Sequence, residues 1–126
     1  MVFNTTTLIG NLGSDIELRT TPAGSKVCNV NLAQNRTYVD RNGDTHEDTS
    51  WFRLVAWGKT AERMAERLGR GSRVLVEGRL QARVFERDGQ RHERVEVNVL
   101  SFQTLARSTS PIEDEEQEVS EAEVPF

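Results

Sequence analysis

The feature that most limits what this chain can fold into is strand-like alternation sustained over long runs and broken once by a helical spacing. Apolar and polar residues alternate along about residues 4–11, resume at 15–20 after a break at Gly13, and alternate again along 26–39, 49–57, 73–86 and 91–105. Turn signals separate the runs: Pro22-Ala23-Gly24, the Asn42-Gly43 pair inside residues 40–44, and Asp88-Gly89. Asn-Gly and Asp-Gly favour tight hairpins because both residues tolerate positive φ. Between the third and fourth runs, residues 59–68 place Ala61, Met64, Ala65 and Leu68 at i, i+3, i+4 and i+7, one apolar face of a helix. Gly69 and Gly71 are expected to stop that helix as C′ glycines.

The order is therefore three strands, a helix and two strands, with long hairpins joining the second run to the third and the fourth to the fifth. This is the element order of the OB-fold, an all-β, five-stranded Greek-key barrel with one helix between its third and fourth strands. With 126 residues the chain suits one domain with a core plus an appendage. Cys28 is its single cysteine, which excludes an intramolecular disulfide and a Cys-based zinc cage. No apolar run approaches the ~18–20 residues of a membrane span, and the first residues lack the pattern of a secretory signal. A cytoplasmic protein without a membrane partner or a cofactor is expected.

The net charge of −4 argues at first against nucleic acid, because phosphates need positive partners. Its distribution reverses that reading. Residues 1–107 hold all 16 Lys and Arg and 13 of the 20 acids, a net charge of +3. Residues 108–126 hold seven acids and no base. A mildly basic domain over 1–107 is thus expected to carry an acidic tail over 108–126, and like-charge blocks of this kind stay disordered as interaction tails.

Strand periodicity then sorts the faces. In the third run Phe52, Leu54 and Ala56 share one side, and Trp51, Arg53, Val55 and Trp57 the other. In the fourth, Val74, Val76, Gly78, Leu80, Ala82 and Val84 form an apolar side opposite Arg79, Gln81, Arg83, Phe85 and Arg87. In the fifth, Val95, Val97 and Val99 alternate with outward Arg94, Glu96 and Asn98. Two strands therefore show basic faces studded with aromatics. Unpaired bases stack on such rings at ~1–3 kcal/mol per base, largely regardless of sequence. Arginine neutralises phosphate bidentately and stacks as well. Single strands fit this surface; a duplex would have to give up its own stacking to use it. The alternative is a scaffold in which the Trp face is a protein interface of an assembly or accessory replication module. An enzyme has no support, since no carboxylate or histidine cluster has metal spacing. Cys28 reads as a small buried hydrophobe, and His46 and His92, at hairpin flanks, receive no role.

These residues resemble the bacterial single-stranded DNA-binding proteins over almost the whole chain. The likeness is carried in order by Leu8 through Gly13 with Asp15 and Glu17-Leu18-Arg19, Pro22-Ala23-Gly24, Asn31-Leu32-Ala33, Thr49-Ser50-Trp51-Phe52-Arg53, Trp57-Gly58-Lys59-Thr60-Ala61, residues 68–79, and Val124-Pro125-Phe126. The resemblance implies a homotetramer that wraps single-stranded DNA in replication, recombination, repair and the SOS response, in the nucleoid. It implies base-stacking positions at Tyr38, Trp51, Trp57 and Phe85. Arg36, Arg53, Lys59, Arg79, Arg83 and Arg87 are the cationic candidates. Tyr38 has the inward parity of Cys28, Val30 and Leu32, so its DNA role needs a bulge or a strand that overruns the barrel. The resemblance also implies that the acidic tail docks replication, recombination and repair proteins through Glu121, Glu123, Val124, Pro125 and Phe126. An apolar ring beside acids suits a basic-rimmed apolar pocket. The tail here is short, and it is expected to compete with DNA for the basic face.

Overall fold

The computed structural model describes residues 2–105. Its elements are β1 (Thr6–Leu12), β2 (Glu17–Thr20), β3 (Lys26–Val39), β4 (Thr45–Trp57), α1 (Gly58–Arg67), β5 (Arg73–Arg87) and β6 (Gln90–Thr104). Five strands close a ring. β1 runs antiparallel to β5 from Thr6↔Gly78 to Asn11↔Arg73, and its last two residues also pair with β3, at Asn11↔Ala33 and Leu12↔Leu32. β5 pairs with β6, β6 meets β4 in parallel at Leu54↔Val97 and Val55↔Asn98, and β4 pairs with β3. The expected all-β barrel, an OB-fold, is the architecture found.

The expected elements need three adjustments. The break at Gly13 divides the first run into two strands, and β2 lies outside the ring against β3. β4 starts at Thr45, four residues before the alternation does, because the backbone ladder with β3 continues to Val39↔Thr45 where both faces are wet. Gly69 does not adopt a left-handed conformation. The helix ends through an extended Leu68, whose N–H reaches the carbonyl of Met64, and the positive φ of 84° falls at Gly71 in the turn beyond.

The core gathers the inward parity of each strand: Leu12, Cys28, Val30, Leu32, Leu54, Ala56, Val74, Val76, Val97 and Val99. The helix contributes Ala61, Met64 and Leu68, with Ala65 half-buried beside them. Phe52 and Phe102 pack partly buried against this cluster. Each fully buried Val, Leu or Met side chain contributes roughly 1.5–3 kcal/mol. Burial raises the pKa of the Cys28 thiol, with a hydrogen bond at Ala56 acting weakly the other way, so it behaves as the small hydrophobe expected.

The apolar sides of β5 and β6 are only partly core. Val74, Val76, Gly78, Val97 and Val99 are buried, but Leu80, Val84 and Val95 remain about half exposed. The register of β5 against β6 shifts between Glu77 and Gly78, and the hairpin overruns the barrel beyond the β4–β6 pairs at Val97 and Asn98. Gly78 is required there, since a Cβ would lie 2.1 Å from the carbonyl oxygen of Asn98. The β3–β4 hairpin likewise overruns the barrel, and every residue from Asn35 to Val39 is exposed.

Candidate nucleic-acid interface

The outer side of the sheet runs across β3, β4, β6 and β5. On β4 it carries Trp51 and Trp57, which are 59% and 45% exposed although both are large and apolar. Arg53 lies between them. Across β3 none of their partners is aromatic: Ala33 lies opposite Trp51, Asn31 opposite Arg53, and Val27 opposite Trp57. No bulky neighbour on β3 covers the indoles. Trp51 rests on Gly13 just beyond β1, where a Cβ would come within 2.7 Å of its Cζ3. The backbone N–H of Gly13 is tied to the carbonyl of Asn31 at 2.9 Å, so this seat is rigidly attached to β3.

Beside Arg53 stands Glu96 of β6. The expected outward alternation of β6 holds, yet Glu96 is only 6% exposed. The arginines cover it. Arg53 Nε donates to Glu96 Oε2 at 2.9 Å, and Arg83 Nη1 lies 4.0 Å from Oε1. Arg79 is exposed on β5 opposite Asn98, and Phe85 is half-buried further along the same face. Thus Trp51, Arg53, Trp57, Arg79, Arg83 and Phe85 share one continuous sheet face.

The other candidates stand apart from it. Tyr38 and Arg36 lie on the overrunning part of β3, on the opposite side of the ladder from Trp51. β3 and β4 pair from Val27↔Trp57 to Val39↔Thr45 with no shift, so no bulge turns Tyr38 over; the overrun alone exposes it. Arg36 faces Asp48 at 3.8 Å, with both side chains exposed. Lys59 is exposed in the first turn of α1, next in chain to the Trp57-Gly58 corner. Arg87 ends β5 opposite Gln90. Glu121, Glu123, Val124, Pro125 and Phe126, and the boundary at residue 107, lie outside the described residues.

Both hairpins use a histidine that sequence reading left without a role. His46 stacks on Tyr38, with centroids 5.2 Å apart and planes at 24°, while the Arg36 guanidinium lies 5.4 Å from the same ring. His92 stacks on Phe85 at 5.5 Å and 24°, with Arg94 5.2 Å from that ring. Each aromatic thus has an imidazole partner and a guanidinium partner. The first pair is anchored to its turn. Asp40 Oδ2 is 2.6 Å from His46 Nε2, and Asp40 Oδ1 accepts the N–H groups of Asn42 and Asp44. The hydrogen bond to His46, then that from Asp44, lowers the Asp40 carboxyl below its ordinary range. Counting outward from the two-residue Asp88-Gly89 turn pairs Phe85 with His92, a signal present in the sequence and not used.

Wet indoles and a ring-bearing hairpin among guanidiniums make a surface for flat, negatively charged ligands. A duplex keeps its bases stacked on one another, whereas a single strand offers each base as a free π-face. Among the described residues no group of three or more His, Cys, Asp or Glu side chains is placed to hold a metal, and no helix is long and apolar enough to cross a membrane.

A closed five-stranded barrel with this outer face defines an OB-fold domain. The model of the single-strand binding protein family matches residues 3–105, and the chain belongs to that non-enzymatic family. It is 38% identical over 109 residues to single-stranded DNA-binding protein 1 of Chlorobaculum tepidum, covering 85% of this chain and 67% of that protein. It is 44% identical over 98 residues to the single-stranded DNA-binding protein of Mycolicibacterium smegmatis, covering 75% and 59%. The corresponding Paenarthrobacter aurescens protein is 42% identical over 98 residues, covering 75% and 57%. The chain therefore spans little more than half to two thirds of these relatives. Among solved structures, a deletion variant of the single-stranded DNA binding protein from Thermus aquaticus superposes with a TM-score of 0.72 at 32% identity, covering 82% of this chain and 51% of that one. The Plasmodium falciparum SSB in complex with ssDNA gives 0.76 at 26% identity, covering 84% and 97%.

Proposed function

We propose that this chain binds single-stranded DNA with little sequence preference. Bases stack on Trp51, Trp57, Phe85 and Tyr38, and Arg36, Arg53, Lys59, Arg79, Arg83 and Arg87 neutralise phosphates. The observation that carries this is the pair of exposed tryptophans on one strand face with Arg53 between them, and with no aromatic β3 residue opposite to cover them. Solvent-exposed indoles at such density cost apolar hydration unless a ligand covers them. The solved Plasmodium complex and the names of the relatives support the same ligand.

In this reading the protein coats single strands during replication, recombination and repair as a homotetramer. The exposed Leu80, Val84 and Val95 on the apolar side of the β5–β6 hairpin suit contact between copies. The acidic segment 108–126 recruits genome-maintenance proteins through Glu121, Glu123, Val124, Pro125 and Phe126, and at low salt it competes with DNA for the basic face. Removing residues 113–126 therefore tightens oligo-dT binding at low salt and ends partner capture; unchanged DNA affinity rejects the competition.

Tryptophan fluorescence tests the central reading. Stacking of Trp51 and Trp57 on thymines quenches their emission strongly on titration with oligo-dT, and native mass measurement on the same samples reports the number of subunits and strands. No quench and no complex would overturn the assignment and favour the sheet face as a protein interface.

A further inference from the structure

Glu96 is the one buried charged side chain among the described residues, and it lies in the middle of the face assigned to DNA. It rises from β6 between Arg53 of β4 and the Gln81–Arg83 stretch of β5. Arg53 gives it the Nε proton at 2.9 Å, and Arg83 approaches its other oxygen at 4.0 Å. Engagement through Nε leaves both terminal nitrogens of Arg53 for an incoming phosphate. The same contact holds the long side chain in one conformation, which removes ordering entropy that binding would otherwise lose. Against these gains stands a full negative charge set between two arginines that phosphates are to bind.

We propose that Glu96 is a built-in counter-charge that sets the affinity of this face. It lets Arg53 and Arg83 stand side by side without repelling each other, and it competes with the DNA backbone for both. The face therefore presents fewer net cations than its arginines number, so the strand is held less tightly and its binding is less salt-dependent. This rests on the single-stranded DNA reading above, which names the ligand of the same face.

The test uses the full chain and oligo-dT, read by tryptophan quenching between about 50 and 200 mM NaCl. Glu96→Gln keeps an oxygen that accepts the Arg53 Nε proton and removes only the charge. It is expected to bind more tightly at the low-salt end. Its plot of log affinity against log salt should be steeper by about 0.7 per protomer engaged, the value for one more phosphate neutralised on a single strand. Over that fourfold salt range the variant then loses about 2.6 times more affinity than the parent. Arg53→Gln added to Glu96→Gln should return the slope to the parent value. Glu96→Val, an apolar strand former that leaves no unpaired amide, should steepen the slope as well and serves if the glutamine variant does not fold.

Parent-like slopes in the folded Glu96 variants, or weaker binding by them, would overturn the counter-charge and leave Glu96 as an orienting acceptor only. Failure of the parent chain itself to quench would instead overturn the DNA reading, so the two failures are distinguishable.

Discussion

Gly13→Ala isolates a positioning effect on Trp51 from an effect on folding. Gly13 is not in a left-handed conformation, so alanine meets no backbone strain there. Its Cβ would stand 2.7 Å from Cζ3 and 3.1 Å from Cη2 of Trp51. Ordinary carbon contacts lie at ~3.5–4.0 Å, so the edge of the indole has to retreat by about 1 Å. Over the length of the side chain that is a swing of roughly 10°, well inside one rotamer well, at a cost under about 0.5 kcal/mol. Stability should thus barely change, with the melting temperature lower by no more than ~4 °C. Stacking should change more, because the ring leaves its glycine seat. Loss of up to half of the ~1–3 kcal/mol per stacked base weakens that site roughly two- to twelvefold. The assay is made in a Trp57→Phe background, so that all emission comes from Trp51. Its spectrum in the free protein and its quench by oligo-dT are followed beside a thermal melt. Parental emission and quench in a folded Gly13→Ala variant would refute the role of Gly13 as the seat of Trp51. A large fall in melting temperature with unaltered quench would refute it too, by making Gly13 a purely structural position.

Further outcomes follow from the core and from the first hairpin. Met64 is fully buried and fastens α1 to the barrel, so Met64→Ala should destabilise the domain by about 2–5 kcal/mol in denaturant titrations. With its pKa raised by burial, the Cys28 thiol should react with a disulfide reagent far more slowly in the native protein than after unfolding; equal rates would show that the barrel opens readily. The Asp40 carboxyl lies below its ordinary range, so its contribution is complete above the unfolded aspartate pKa and is lost as pH falls through the lowered native value. Nuclear magnetic resonance should therefore show the Asn42 and Asp44 amides still bonded to Asp40 at a pH where a free aspartate is already protonated. Asp40→Asn should remove that acid step.

Much of this interface was legible because strand parity is a local property. Alternation alone placed Trp51, Arg53 and Trp57 on one side of β4 and Leu54 and Ala56 on the other, and the barrel keeps that division. The helical spacing of Ala61, Met64 and Leu68 likewise survives as the buried face of α1. Parity does not say where a strand stops being part of the barrel. Leu80, Val84 and Val95 continue an apolar pattern past the register shift and meet water, and Tyr38 has inward parity but no interior to enter.

The chain's own order of residues thus determined the elements, their inner and outer faces, and a basic domain followed by an acidic segment. Those depend on periodicity and on charge along the chain. The tertiary structure alone decided what each outward residue meets. Closing the ring by two β4–β6 pairs carries Glu96 beside Arg53, 43 residues away in sequence, and buries a carboxylate that alternation had assigned to solvent. Folding β1 back onto β3 puts Gly13 beneath Trp51 in the same way. Contacts of this kind come from ring closure between distant strands, and no local pattern encodes them.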